Sequence, residues 1–240
     1  MQDVAGRSKQ KMRRVAFYGG SFDPPHRAHL AVARAARAAL DLDCVLFAPV
    51  GSQPLKPGGG SASFADRAEM IRLAIAGEVG FELSFLDAPQ TAGQPNFTID
   101  SLRKLSSEVG SGSDLFCLMG ADSLANLRLW REASEIPFAA TLVVAARPGV
   151  ELSSLQPLLP NGINVRATPA HELSSSGIEL LQAGLVDRQG RTAKLILLPG
   201  LEDPTNATDL RNLLHTGSSQ AASLLPDAVL DYIRTHDLYL

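Results

Sequence analysis

Apolar residues fall along this chain in short runs that alternate with stretches of helical spacing. Residues 14–18 (RVAFY) read as a buried strand; a glycine turn and two prolines follow, then an alanine- and leucine-rich helical run over residues 27–40. CVLFAP at residues 44–49 reads as a second strand, and residues 64–76 place Met70, Ile71, Leu73 and Ala74 on one helical side. Beyond these, the pattern predicts a helix at 99–105, a strand at 115–119 (LFCLM), a helix at 123–135 and a strand at 140–146. Residues 148–193 are rich in Pro, Ser and Gly and carry weaker signals, with one helix predicted at 178–183. KLILL at 194–198 is the last clear strand, and helices are predicted at 209–214 and 226–235, the latter with Pro226 at the favoured first helical position.

Short apolar strands alternating with helices predict an α/β, Rossmann-like doubly wound fold: a mainly parallel sheet with helices on both faces. In such sheets ligands sit at the carboxyl ends of the strands. No repeat of fixed period occurs, and the one low-complexity patch, PGGGSAS at 57–63, reads either as a flexible connector or as a lid. Residues 1–12 hold Arg7, Lys9 and Lys11 with no apolar stretch behind them, so they read as an unstructured tail before a single domain over 13–240.

Composition narrows the function class. With 240 residues and 45% hydrophobic content, the chain can bury a sizeable core. A net charge of −3 and a pI near 5.9 give no general attraction to nucleic acid or an anionic membrane, so any phosphate-binding surface must be local. No run approaches the ~20 apolar residues that span a membrane. The two cysteines, Cys44 and Cys117, lie in separate apolar runs and match neither a zinc spacing nor a disulfide framework; buried thiols of a cytoplasmic protein are expected.

The chemistry concentrates after the first strand, in GGSFDPPHRAH (residues 19–29). Gly19 and Gly20, with Ser21 and Phe22 behind them, let backbone N–H groups approach a phosphate, and the positive end of the next helix points to the same place. His26 and His29 are three apart at that helix start and share one face, so they either cap the helix locally or converge on one polyphosphate. The dinucleotide fingerprint GxGxxG and the P-loop GxxxxGK[ST] are both missing. A metal reading of HxxH lacks a third ligand, because His171, His215 and His236 are scattered.

GGSFDPPHRAH resembles the GxFDPxHxGH signature of the nucleotidyltransferase superfamily, specifically the bacterial nicotinate mononucleotide adenylyltransferases. The resemblance runs almost the length of the chain: GSQPLK resembles the family's substrate loop, NFTIDSL its (S/N)(Y/F)TxxTL segment, and GADSLANLRLW its G(A/G/Q)DSLxxLxxW segment. LLPDAVLDYIRTHDLY resembles the C-terminal LPxxVxxYIxxxxLY, and NATDLR (206–211) resembles in part the triphosphate motif ISSTxIR. Departures occur at Ala28, where the family usually has glycine, at Leu55, where a histidine often stands, and at Asn206, which replaces a serine. The 148–200 region is also longer than in compact members.

The resemblance implies adenylyl transfer from ATP to nicotinate mononucleotide, giving nicotinate adenine dinucleotide and pyrophosphate. It implies that His26, His29 and Arg211 act on the phosphates, with ATP also held by Gly19, Gly20, Ser21, Phe22, Gly120, Asp122, Asn206 and Thr208. It assigns the mononucleotide to Lys56, Phe97, Thr98, Trp130 and Arg147, and leaves Mg²⁺ on the phosphate oxygens with no protein metal site. Several of these residues have plainer readings from sequence alone: Asp122 and Thr208 as helix caps, Trp130 as core, Arg147 as a surface charge. Tyr232, Leu238 and Tyr239 read as packing residues. The implied partners are ATP and nicotinate mononucleotide, without nucleic acid or membrane; homo-oligomerisation stays open. The rival readings are a related adenylyltransferase acting on nicotinamide mononucleotide or phosphopantetheine, and a nucleotide-binding module without turnover.

Overall fold

The computed structural model describes residues 12–53, 60–110, 112–146, 155–198, 200 and 207–239, with the backbone alone at 92 and 167–173. All but the last residue of the expected tail therefore lies outside the described residues, as do Lys56, Arg147 and Asn206.

The first half alternates strand and helix as expected. β1 (Arg14–Gly20), α1 (Arg27–Ala39), β2 (Cys44–Pro49), α2 (Phe64–Ala74), β3 (Phe81–Leu83), α3 (Thr98–Val109) and β4 (Asp114–Gly120) follow in order. After β4 come α4 (Ala121–Asn126), α5 (Ile136–Ala139) and β5 (Thr141–Ala145), then β6 (Asn164–Leu173), β7 (Glu179–Val186) and β8 (Thr192–Leu198). The chain closes with α6 (Ala207–His215), α7 (Gln220–Leu224) and α8 (Asp227–Thr235). The described strands form one sheet in the order β3-β2-β1-β4-β5-β8-β7-β6. Pairing is parallel from β3 through β8, while β7 and β6 add antiparallel strands at one edge.

Successive strand residues face opposite sides of a sheet, and two cores result. Ala16 and Tyr18 of β1 join Leu30, Ala33 and Ala36 of α1, Met70 and Ile71 of α2, and Val229 and Ile233 of α8 on one face. Val15 and Phe17 join Ile99 and Leu102 of α3, with Leu124, Leu127 and Ile136, on the other. Small alanines on α1 let that helix lie close to the strands. Among the described residues, no helix is long and apolar enough to cross a membrane.

Two helix expectations are corrected. The predicted helix at 178–183 is the strand β7: its Glu, Leu, Gln and Ala are good helix formers, but β6 and β8 pair with it on both sides and fix it extended. Gly184 belongs to that pairing, since a Cβ there would stand 2.9 Å from the Arg166 carbonyl oxygen. The predicted helix at 123–135 ends as α4 at Asn126 and gives way to a 3₁₀ turn, Leu127–Leu129. Trp130 is extended (φ −78°, ψ 152°), Glu132 has a φ of 49°, and Pro137 sits in the first turn of α5, where it disfavours a helix continuing into it. β3 and β6 lay in segments for which no strand was expected.

Candidate active site

Strand order reverses at β1, which lies between β2 and β4; the crevice at such a switch point is where open α/β sheets bind ligands. Gly19 and Gly20 end β1, and Gly120 ends β4 beside them. Phe22 then turns the chain with a φ of 48°, a conformation that costs a bulky residue energy unless its surroundings hold it. Its buried ring provides that hold, lying 5.4 Å from the Tyr18 ring, 5.7 Å from Phe47 and 4.9 Å from His29.

His26 and His29 are brought together. His26 is the N-cap of α1, and its backbone N–H donates to Nδ1 of His29 at 3.1 Å; the two rings are 3.7 Å apart. Capping and phosphate binding are thus compatible for His29. Because Nδ1 accepts, the neutral ring must carry its proton on Nε2, which remains its one donor. Burial foremost, and then the charge of His26, hold the His29 pKa well below the ordinary histidine value.

α6 reaches the same segment from the far end of the chain. Arg211 donates through Nη1 to the Asp23 carbonyl at 2.8 Å and through Nη2 to Thr208 Oγ1 at 3.2 Å. Thr208 lies inside the first turn of α6, so the expected cap is replaced by a hydroxyl that orients the arginine. Asp122 likewise is no cap: Gly120 is the N-cap of α4, and Asp122 stands exposed in its first turn. A Cβ added at Gly120 would meet nothing within 4 Å, so this glycine faces open space.

Of the residues expected for the mononucleotide, Phe97 and Thr98 lie at the start of α3. Phe97 is the N-cap of α3 and Thr98 its first residue; Phe97 and Trp130, both half-buried, lie against the same core. The Arg131 guanidinium covers the Phe97 ring at 4.7 Å. Ser21 Oγ accepts from Gln53 Nε2 at 3.0 Å, which ties the turn after β1 to the chain leading toward Lys56.

Several residues that frame this site escaped sequence reasoning. Arg67, buried on α2, donates to the carbonyls of Ser21 at 2.7 Å and Val50 at 2.8 Å, linking the ends of β1 and β2. Asn96 accepts from the Ser52 N–H at 3.0 Å and donates to the Ala88 carbonyl at 2.9 Å. Nearby, a Cβ on Gly51 would stand 2.4 Å from the Pro89 nitrogen, so only glycine allows this approach of two loops. Asp87 accepts from the Ser101 hydroxyl, and burial pushes its carboxyl up to about 6. The one advance signal was position: Asp23 and Asn96 lie inside the motifs, whereas Arg67 and Asp87 carry no local mark.

A family model described as Cytidylyltransferase-like matches residues 17–180. A probable nicotinate-nucleotide adenylyltransferase of Gloeobacter violaceus is 35% identical over 226 residues, covering 94% of this chain and 96% of that protein. One from Roseiflexus castenholzii is 36% identical over 228 residues, covering 94% and 98%. Among solved structures, Plasmodium falciparum nicotinic acid mononucleotide adenylyltransferase complexed with NaAD superposes with a TM-score of 0.66 at 16% identity, covering 95% of this chain and 97% of that one. The chain belongs to the cytidylyltransferase-like family of nucleotidyltransferases. Within it, the chain belongs with the nicotinate-nucleotide adenylyltransferases.

Proposed function

We propose that this protein transfers the adenylyl group of ATP to nicotinate mononucleotide. The 5′-phosphate oxygen of the mononucleotide attacks the α-phosphorus in line. A new P–O–P linkage forms, the bond from the α-phosphorus to the bridging oxygen breaks, and pyrophosphate leaves with that electron pair. Such transfers require positioning and stabilisation of spread negative charge, with no protein nucleophile.

The observation that carries this reading is the state of His29. A ring whose Nδ1 is occupied by the helix cap offers a single, fixed Nε2–H donor for an α-phosphate oxygen. Its pKa, held well below the ordinary histidine value, favours the neutral ring, the form in which Nδ1 can accept the cap while Nε2–H donates. His26 would assist on the phosphate chain. Arg211 would exchange its carbonyl partner for β- and γ-phosphate oxygens, with Thr208 steadying the guanidinium. Gly19 and Gly20 at the end of β1, with Ser21 and Phe22 after them, form the segment against which the phosphates would lie, and Gly120 with Asp122 would face the adenosine. On the acceptor side, Trp130 would stack on the pyridine, backbone donors at Phe97 and Thr98 would receive its carboxylate, and Lys56 and Arg147 would supply positive charge.

Mg²⁺ carried by the phosphate oxygens would neutralise part of the triphosphate charge.

The test is incubation of purified protein with ATP, Mg²⁺ and one acceptor at a time, with separation of products and measurement of pyrophosphate. Nicotinate mononucleotide is expected to give dinucleotide and equimolar pyrophosphate faster than nicotinamide mononucleotide. Preference for phosphopantetheine, or no product at all, would overturn the reading in favour of a rival acceptor or a binding module.

A further inference from the structure

Asn96 stands immediately before the N-cap of α3 and is only 5% exposed. A buried amide needs acceptors for its N–H groups and a donor for its oxygen. Asn96 finds them on two loops. Oδ1 accepts the Ser52 N–H at 3.0 Å, the backbone N–H donates to the Ser52 carbonyl at 3.0 Å, and Nδ2 donates to the Ala88 carbonyl at 2.9 Å. Ser52 comes after β2, 44 residues earlier in the chain, and Ala88 comes after β3.

These loops tie the start of α3 to the end of β1. Gln53, next to Ser52, donates through Nε2 to Ser21 Oγ at 3.0 Å. The path from Ser21 through Gln53 and Ser52 to Asn96 thus consists only of hydrogen bonds and a peptide link. A parallel path runs beside it: the Gly51 N–H donates to the Asp87 carbonyl at 2.7 Å, and the Asp87 carboxylate accepts from Ser101 inside α3. A Cβ on Gly19 would stand 3.6 Å from Asp87 Oδ2, so that carboxylate also borders β1. Phe97 offers α3 no side-chain cap, and anchoring of the chain that enters the helix is left to Asn96.

We infer that Asn96 is a positioning residue for the acceptor nucleotide: by joining Ser52 and Ala88 it fixes the backbone of Phe97 and Thr98 relative to Ser21 beyond β1. The effect on substrate rests on the proposed role of Phe97 and Thr98 toward the nicotinate carboxylate; the joining itself does not. In-line transfer depends on where the acceptor phosphate is held, and a displacement of about 1 Å can cost on the order of 10²-fold in rate. Asn96 thus serves the reaction without touching either substrate.

Asn96→Ala removes both side-chain bonds, and Asn96→Ser keeps a hydroxyl that can still accept from Ser52. For Asn96→Ala the expected result is a rise of about 10-fold in KM for nicotinate mononucleotide, with the KM for ATP within about twofold of wild type. Asn96→Ser should fall between wild type and Asn96→Ala. The KM for nicotinamide mononucleotide, whose ring bears no carboxylate, should rise by less than about threefold. In the protein without substrates, the Ser52 amide is expected to exchange hydrogen faster in Asn96→Ala. An unchanged KM for nicotinate mononucleotide in both variants, or equal rises for all three nucleotides in step with a fall in Tm, would overturn the inference. Should wild type form no dinucleotide, the adenylyl-transfer reading fails by itself. Quenching of Trp130, the single tryptophan, by nicotinate mononucleotide then tests the inference without turnover: weaker binding by Asn96→Ala than by wild type supports it, and equal binding or none refutes it.

Discussion

The guanidinium of Arg211 donates to the backbone carbonyl of Asp23 at 2.8 Å, joining α6 to the first βα turn across 188 residues. That partner is neutral, whereas phosphate oxygens are charged and can take two parallel bonds from the planar fork, so nucleotide can take the arginine over. Arg211→Ala is expected to lower kcat by about 10²- to 10³-fold while far-UV circular dichroism stays unchanged. Arg211→Lys should recover little of this loss, because a point charge does not reproduce a planar fork. Steady-state assays with ATP varied check both.

His29 caps α1 through Nδ1 and keeps Nε2 for the phosphate. His29→Ala should therefore show two separable effects. Turnover falls by about 10²-fold or more, whereas loss of the cap costs roughly 0.5–2 kcal/mol of stability. Thermal melts beside single-turnover assays distinguish them: retained activity in a folded variant would contradict the proposed role.

Gly120 has φ −81° and ψ 165°, which any residue tolerates, and its missing Cβ faces open space. Gly120→Ala should leave Tm within about 2 °C of wild type, since surface changes are usually within ±0.5 kcal/mol. If that space receives the nucleotide, the KM for ATP rises while the mononucleotide KM holds. An unaltered KM for ATP would place the nucleotide elsewhere.

Asp87 bears on stability against pH. Burial raises its folded-state pKa to about 6, above the ordinary aspartate value, so the folded protein binds this proton more tightly than the unfolded chain. Its contribution is thus full below about pH 4 and is lost as pH rises through the folded value. Asp87→Asn escapes that loss and can still accept from Ser101. Its stability relative to wild type is expected to climb by about 2 kcal/mol between about pH 4 and about pH 7 in denaturant titrations.

Much of this arrangement was legible in the chain itself. β1, β2, β4, β5 and β8 announce themselves as short apolar runs; NFTIDSL opens α3 and GADSLANLRLW starts at the end of β4. His26 and His29 were expected on one face and stand with rings 3.7 Å apart, because residues three apart on a helix meet wherever the helix lies. The strand β7 was misread because its residues are individually good helix formers, and neighbouring strands overrode them.

Local order therefore determined β1, β2, β4, β5 and β8, the helices α1, α2 and α3 and the two-histidine cap, since hydrophobic period and backbone preference act within a few residues. Tertiary structure alone decided which distant groups meet: Arg211 at the Asp23 carbonyl, Tyr239 at its carboxylate, Arg67 between Ser21 and Val50, Asp87 against Ser101. Such partners are selected by burial. A polar group enclosed by the fold must find a donor or acceptor wherever in the sequence one arrives, and no local pattern records that choice.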